Sequence, residues 1–330
     1  MQGSVSTQQQ AELKLAIKPK PHKFKVSKLI PILMILPSLI AIAIFVYGFI
    51  GWTGYVSLSN WNTLVKDLSF AGLSNFKFLF EDFRFQSDLR NTLMFTILFI
   101  AATTLIGMWL AVMVDKKIRA ETLFRNIFIF PMALSFVVTG VVWQWILSPS
   151  TGINLILKGL FGLTDDQVPA WYTSTDIVPS IPWGQIDFGL PIAIIAVAIA
   201  TVWQMSGFTM AMYLAGLRAI PEELREAARI DGATERQVFA KIILPQLTPV
   251  TVSVFIILGH ISLKIFDLIF AMTGPGAMFV TDVPGVFMFE TTFRGNHYAQ
   301  GAAISMLMLG FVSILIIPYI WSSFRKGGSS

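Results

Sequence analysis

Long apolar runs separated by short polar stretches dominate the chain, and six of them, at 29–55, 92–114, 124–147, 191–216, 247–271 and 300–321, stand out by length. An α-helix needs about 20 apolar residues to cross the hydrocarbon core of a bilayer, so each run predicts one membrane span. The stretch from Ile192 to Thr201, IAIIAVAIAT, is apolar on every helical face. A barrel strand would instead alternate polar and apolar positions, and lipid tolerates only structures that pair all their own backbone groups. The expectation is an all-α polytopic membrane protein with six transmembrane helices. It divides into a polar tail at 1–28, a first helix at 29–56, an amphipathic extracytoplasmic segment at 57–90, a five-helix core at 91–322 and a short tail at 323–330.

Composition agrees: 55% of residues are hydrophobic and only 13% charged, against about a quarter charged in a soluble domain. The absence of cysteine removes disulfides, thiolate nucleophiles, iron–sulfur clusters and Cys-ligated zinc. No metal or cofactor is expected. Charge decides orientation. With the tail inside, cytoplasmic segments hold 17 of the 24 Lys and Arg residues and the opposite side 6, a bias that puts both termini in the cytoplasm. The basic tail (Lys14, Lys18, Lys20, Lys23, Lys25, Lys28) reads as a topology signal in contact with anionic lipid, not as a nucleic-acid arm. It is too long to belong to a cleaved signal peptide. Trp52, Trp61, Trp143 and Trp145 mark the outer interface, Trp109 and Trp321 the inner one.

Three connections carry information. The outer loop 148–190 has four acids and one lysine; it either meets an extracytoplasmic partner or folds over its own helices. The outer segment 57–90 mixes phenylalanines with charges. The inner loop at about 217–245 contains IPEELREAARIDGATERQVFAKIILPQLTP from Ile220. Pro221, with Glu222 and Glu223, suits a helix start. Gly232 suits the left-handed residue that ends a helix, and Thr234 with Gln237 forms a capping box opening a second one. The Glu222/Glu226 and Arg225/Arg229 pairs are like-charged at i,i+4, so something outside the helix must hold it.

The offsets in this helix–Gly–helix elbow resemble the EAA signature of ABC-importer permeases at every defined position: Glu226-Ala227-Ala228, then Gly232, Ile242 and Leu244-Pro245. Further matches are similar to the carbohydrate-uptake (maltose-type) branch: Phe70 to Phe76, Asn91-Thr92, Pro131, Leu214 to Leu217, and Phe266-Asp267 with Thr273-Gly274. Pro275-Gly276-Ala277 departs from the usual continuation there. Two segments, Pro131 to Ser135 with Val138-Thr139-Gly140, and His260 to Asp267, look most like glucose or mannose permeases. The resemblance implies a type I importer fold and a plasma-membrane location in a prokaryote. It also implies a second homologous permease, two ATPase subunits that receive the elbow, and an extracytoplasmic sugar-binding protein. Disaccharide, polyol and glycerol-phosphate importers share the elbow. The loop 148–190 is too short for the large insertion of the maltose permease.

Polar groups inside the spans are costly, about 2.5–3.5 kcal/mol for a central charge. His260, Lys264 and Asp267 fall at i, i+4 and i+7 of one predicted helix, a single face. They either line the sugar path or lock helices together. Gln204, beside Trp203 and ahead of Ser206 and Gly207, either meets sugar or bonds between helices. No Gly-Lys pair occurs, so the chain lacks a phosphate-cradling G-x-x-x-x-G-K-[ST] loop and another subunit must hydrolyse ATP. An ion-coupled secondary transporter would show inverted repeats and paired broken helices, which the sequence lacks. An intramembrane enzyme would have only His260 as its base.

Overall fold

The computed structural model describes residues 26–115 and 121–327. The basic tail up to Lys25, the loop 116–120 and residues 328–330 lie outside the described residues, as do the side chains of Lys28 and Trp321. Two units are distinct, Met1–Trp52 and Thr53–Ser330. The first contains α1 (Val26–Ile42), a π-helical stretch, Ala43–Gly48, and the start of α2 (Phe49–Ser57), whose residues from Thr53 belong to the second.

The second unit continues with α3 (Ser74–Glu81), α4 (Phe83–Asp115), α5 (Glu121–Ile129), α6 (Phe136–Ile146) and α7 (Gly152–Phe161). A hairpin of β1 (Ile177–Trp183) and β2 (Ile186–Pro191) precedes α8 (Ile192–Arg218), α9 (Glu222–Ile230) and α10 (Glu235–Val238). Beyond these come α11 (Leu244–Gln246), α12 (Thr248–Leu263), α13 (Asp267–Met272), α14 (Pro284–Phe289) and α15 (Tyr298–Gly327). Among the described residues four helical stretches are long and apolar enough to cross a membrane, and up to six if each of two bent pairs counts as one span. The six expected spans are therefore present, two of them bent.

Span α8 is central: two thirds of its apolar window is buried (67%), against 33% for α4. Phe95, Phe99, Val114, Val197, Met210 and Tyr213 share one core. Gly207 lets α8 meet span three at backbone distance, since a Cβ there would overlap the carbonyl oxygen of Phe128. The helix stays unbroken, so this glycine serves close contact and not unwinding.

The third span bends by 99° between α5 and α6. Pro131 sits in a 3₁₀ turn, Phe130–Ala133, where its missing N–H and fixed φ end the helix. Leu134 is then extended, and Ser135 caps α6 by accepting from the Val138 N–H at 3.2 Å. The fifth span bends by 61° between Gln246 and Thr248, flanked by Pro245 and Pro249.

The fifth span also corrects the expected run to residue 271. Helix α12 ends at Leu263, Lys264 has non-helical backbone angles, and α13 begins anew at Asp267. His260, Lys264 and Asp267 therefore do not share one helical face.

The outer loop folds largely over its own chain. Asn154 donates to the Pro149 and Pro169 carbonyls at 3.0 Å and accepts from Trp171 Nε1 at 2.7 Å. The hairpin, absent from the all-helical expectation, leaves Val178, Ile181 and Trp183 exposed.

At 33 residues, α4 is about 50 Å long at 1.5 Å per residue, longer than the roughly 30 Å hydrocarbon core. Its first turns project outward and carry a charge cluster. Arg84 Nε donates to Asp282 Oδ2 at 2.5 Å and Arg84 Nη2 to Glu290 Oε2 at 2.6 Å. The guanidinium lies 4.8 and 4.6 Å from the ring centres of Phe279 and Phe287. Asp88 is fully buried beside them, and Asn91 Nδ2 donates to the Phe279 and Asp282 carbonyls. Burial raises the pKa of Asp282, and the Arg84 guanidinium opposes that rise.

Candidate functional site: the cytoplasmic elbow

The elbow forms where its local signals place it. Pro221, extended at φ −56° and ψ 133°, precedes α9, one residue earlier in the helix than expected, and Glu222 and Glu223 fill the first turn. Gly232 adopts φ +82°, a conformation that costs a side-chain-bearing residue but not glycine. The N–H of Ala233 then donates to the Ala228 carbonyl at 2.9 Å, closing the helix. Thr234 and Gln237 form the reciprocal capping box that opens α10.

Most of the signature is free for contact. Glu226, Ala227, Gly232, Leu244 and Pro245 are exposed, Ala228 and Ile242 half-buried. Ala228 packs against the main core, which a larger residue would obstruct. Ile230, 86% exposed, and Leu224 stand out from α9 as exposed apolar side chains.

Helix α9 has no buried residue, and polar contacts hold it. Arg225 donates from Nη1 to Asp115 Oδ2 at 3.2 Å, at the end of α4, and from Nη2 to the Leu217 carbonyl at 2.9 Å, near the end of α8. Glu222 lies 3.8 Å from the same guanidinium. Arg229 pairs with Glu235 at 2.8 Å across the elbow, and that hydrogen bond raises its pKa above the ordinary arginine value. Arg218 bonds Glu121 at 2.6 Å, joining the inner ends of spans four and three. Like-charged i,i+4 spacing foretold an external partner for α9 but not its identity.

The candidate substrate residues separate. Gln204 is buried at 2% exposure, and its Nε2 donates to the Leu134 carbonyl at 2.7 Å. It thus pairs the backbone group that the bend in span three leaves free, while its Oε1 has no partner among the described residues. His260 is half-buried, with no partner for its Nδ1 among the described residues, and Lys264 and Asp267 are exposed. Among the described residues no ion pair joins Lys264 to Asp267. Ser262, on the buried side of α12, accepts from Thr96 Oγ1 of α4 at 3.0 Å.

The sequence profile of the binding-protein-dependent transport system inner membrane component family matches residues 103–326, more than half of the chain. The chain belongs to that family. It is 38% identical over 89% of its length, and 95% of the relative's, to a probable ABC transporter permease of Pyrococcus horikoshii. It is 32% identical over 88% of its length, and 86% of the relative's, to the xylose/arabinose import permease XacH of Haloferax volcanii. In fold it is similar to a bacterial ABC transporter involved in import of the acidic polysaccharide alginate, with a TM-score of 0.73 and 20% identity, covering 93% of this chain and 98% of that one. The ABC-importer permease fold expected from the elbow is the fold observed.

The permease is a multi-pass membrane protein whose family match includes the elbow, Gln204 and the divided fifth span, and begins after Arg84 and Asp88. Sequence reasoning passed over the Arg84–Asp282–Glu290 cluster and the Arg225–Asp115 pair. The available signal was charge beside an apolar run, at Asp88 and Arg90 just ahead of Thr92 and at Asp115 just after Val114.

Proposed function

We propose that this permease forms half of the translocation path of an ATP-driven, binding-protein-dependent sugar importer in a prokaryotic plasma membrane. A second homologous permease supplies the other half, two separate ATPase subunits drive the cycle, and an extracytoplasmic sugar-binding protein delivers the substrate. The observation that carries this reading is the elbow: most of its signature residues are exposed, and the helix bearing them is anchored by the Arg225 contacts and the single Ala228 methyl group. Such a lever is suited to a partner that pushes it. Closure of the ATPases moves the Glu226–Gly232 elbow and, through it, the helix bundle as a rigid body.

The sugar we assign is a monosaccharide such as glucose or mannose. The segments Pro131 to Gly140 and His260 to Asp267 support it, as does a pentose importer among the relatives. Gln204 Oε1, His260, Lys264 and Asp267 are the candidate contacts along the path. Disaccharide, polyol and glycerol-phosphate substrates are the alternatives within the same machinery.

The test is sugar-stimulated ATPase activity of the reconstituted importer across mono- and disaccharides. Stimulation by glucose or mannose is expected; stimulation by a disaccharide alone keeps the importer and discards the monosaccharide. In the same assay Gly232→Pro and Glu226→Lys should insert normally yet lose uptake and ATPase stimulation, and normal uptake by both would sink the coupling role.

A further inference from the structure

The elbow meets the bundle across a gap. A cavity of about 680 Å³ lies between them, lined by Val112, Asp115, Leu217, Arg225, Phe239 and Ile243 among others. On α9 no residue is fully buried and only Ala228, with its single methyl group, packs against the core, so apolar contact gives a push from that helix little purchase on the membrane spans. Arg225 crosses the gap: its side chain is 13% exposed, and it bonds both the Asp115 carboxylate, 19% exposed, and the Leu217 carbonyl. These two partners are 102 residues apart in sequence, at the inner ends of different spans, α4 and α8. A half-buried, charge-assisted pair keeps its geometry better than a surface pair, because water screens it less and each lost bond leaves a charge exposed to a poorly solvated site.

We propose that Arg225 is a positioning residue, a strut through which movement of the elbow is delivered to spans two and four at once, with Asp115 as its footing. The proposal rests on the importer reading above and adds the route by which the stroke enters this subunit. Arg229 plays a different part, since it bonds Glu235 within the elbow and stiffens the lever itself.

The experiment uses the complete importer with its partner permease, ATPase and binding protein. Because this chain contains no cysteine, Met113→Cys, on the exposed side of α4, gives it a single site for an environment-sensitive fluorophore two residues before Asp115 on the same inner turn. The probe is MgATP with vanadate, and the readout is the fluorescence change at position 113, with ATPase retention on purification measured alongside. Arg225→Ala, the isosteric Asp115→Asn and the exchange D115R/R225D are compared with their parent. Both single variants should retain the ATPase and lose the fluorescence change by more than about threefold, and the exchange should recover more of it than either single change, the signature of a coupled pair. Asp115→Asn keeps the side-chain shape and secures the test if Arg225→Ala fails to fold.

A change at position 113 within about threefold of the parent in both single variants overturns the strut, as does an exchange no better than the single changes. Loss of the ATPase from the single variants also overturns it, because Arg225 would then serve docking. A parent complex that shows no response to MgATP and vanadate overturns the importer reading instead.

Discussion

Single residues decide how tightly the spans close on one another. Gln204 satisfies the Leu134 carbonyl freed at the bend of span three, so Gln204→Leu should leave a buried acceptor unpaired, costing about 1–3 kcal/mol. The expected result is a lower melting temperature of the purified permease complex; an unchanged melting temperature with a raised KM would make Gln204 a sugar contact instead. Gly207→Ala places a methyl group on the Phe128 carbonyl and should destabilise by about 1–3 kcal/mol through overpacking, read from the same melts. The sequence marked both positions as polar or small within an apolar span, and it left open whether they faced sugar or another helix. That question depends on Leu134, 70 residues from Gln204, and on Phe128, still farther from Gly207 along the chain, and no local pattern contains them.

Elements are where charge placement matters. The outer turns of α4 are tied to both ends of α14 through Arg84, which is largely buried with Asp282 and Glu290. Removing one partner of such a pair costs about 3–5 kcal/mol because the other charge is left buried. Arg84→Ala should therefore lower the thermal midpoint far more than Arg294→Ala, since Arg294 is itself 62% exposed and i,i+4 pairs of that kind are worth about 0.3–0.5 kcal/mol. Equal effects in a differential scanning experiment would refute the buried-lock reading. The elbow was the most legible element, since Gly232, Thr234 and Gln237 act within three residues of their own positions. The fifth span was the least, because Lys264 and Asp267 read as one more helical turn while the chain breaks after Leu263.

The whole molecule is a set of spans with a sidedness, and its lack of cysteine makes that testable. Ile230→Cys and Met278→Cys place single thiols at positions 86% and 68% exposed. A membrane-impermeant maleimide added to intact cells should label position 278 and leave 230 unlabelled, and inverted vesicles should reverse the result. Labelling of both from one side would contradict the six-span layout.

The sequence by itself determined the number and approximate limits of the spans and the elbow, because each follows from a run of apolar residues or from capping groups a few residues apart. Tertiary structure alone decided the 99° turn of span three with Gln204 across it, the break beyond Leu263 that parts His260 from Asp267, and the pairing of Arg84 with Asp282 and of Arg225 with Asp115. These depend on which backbone groups and charges meet once the helices pack. Residues 198 and 110 positions apart become partners because burial in a poorly solvating interior leaves an unpaired charge nowhere cheaper to go.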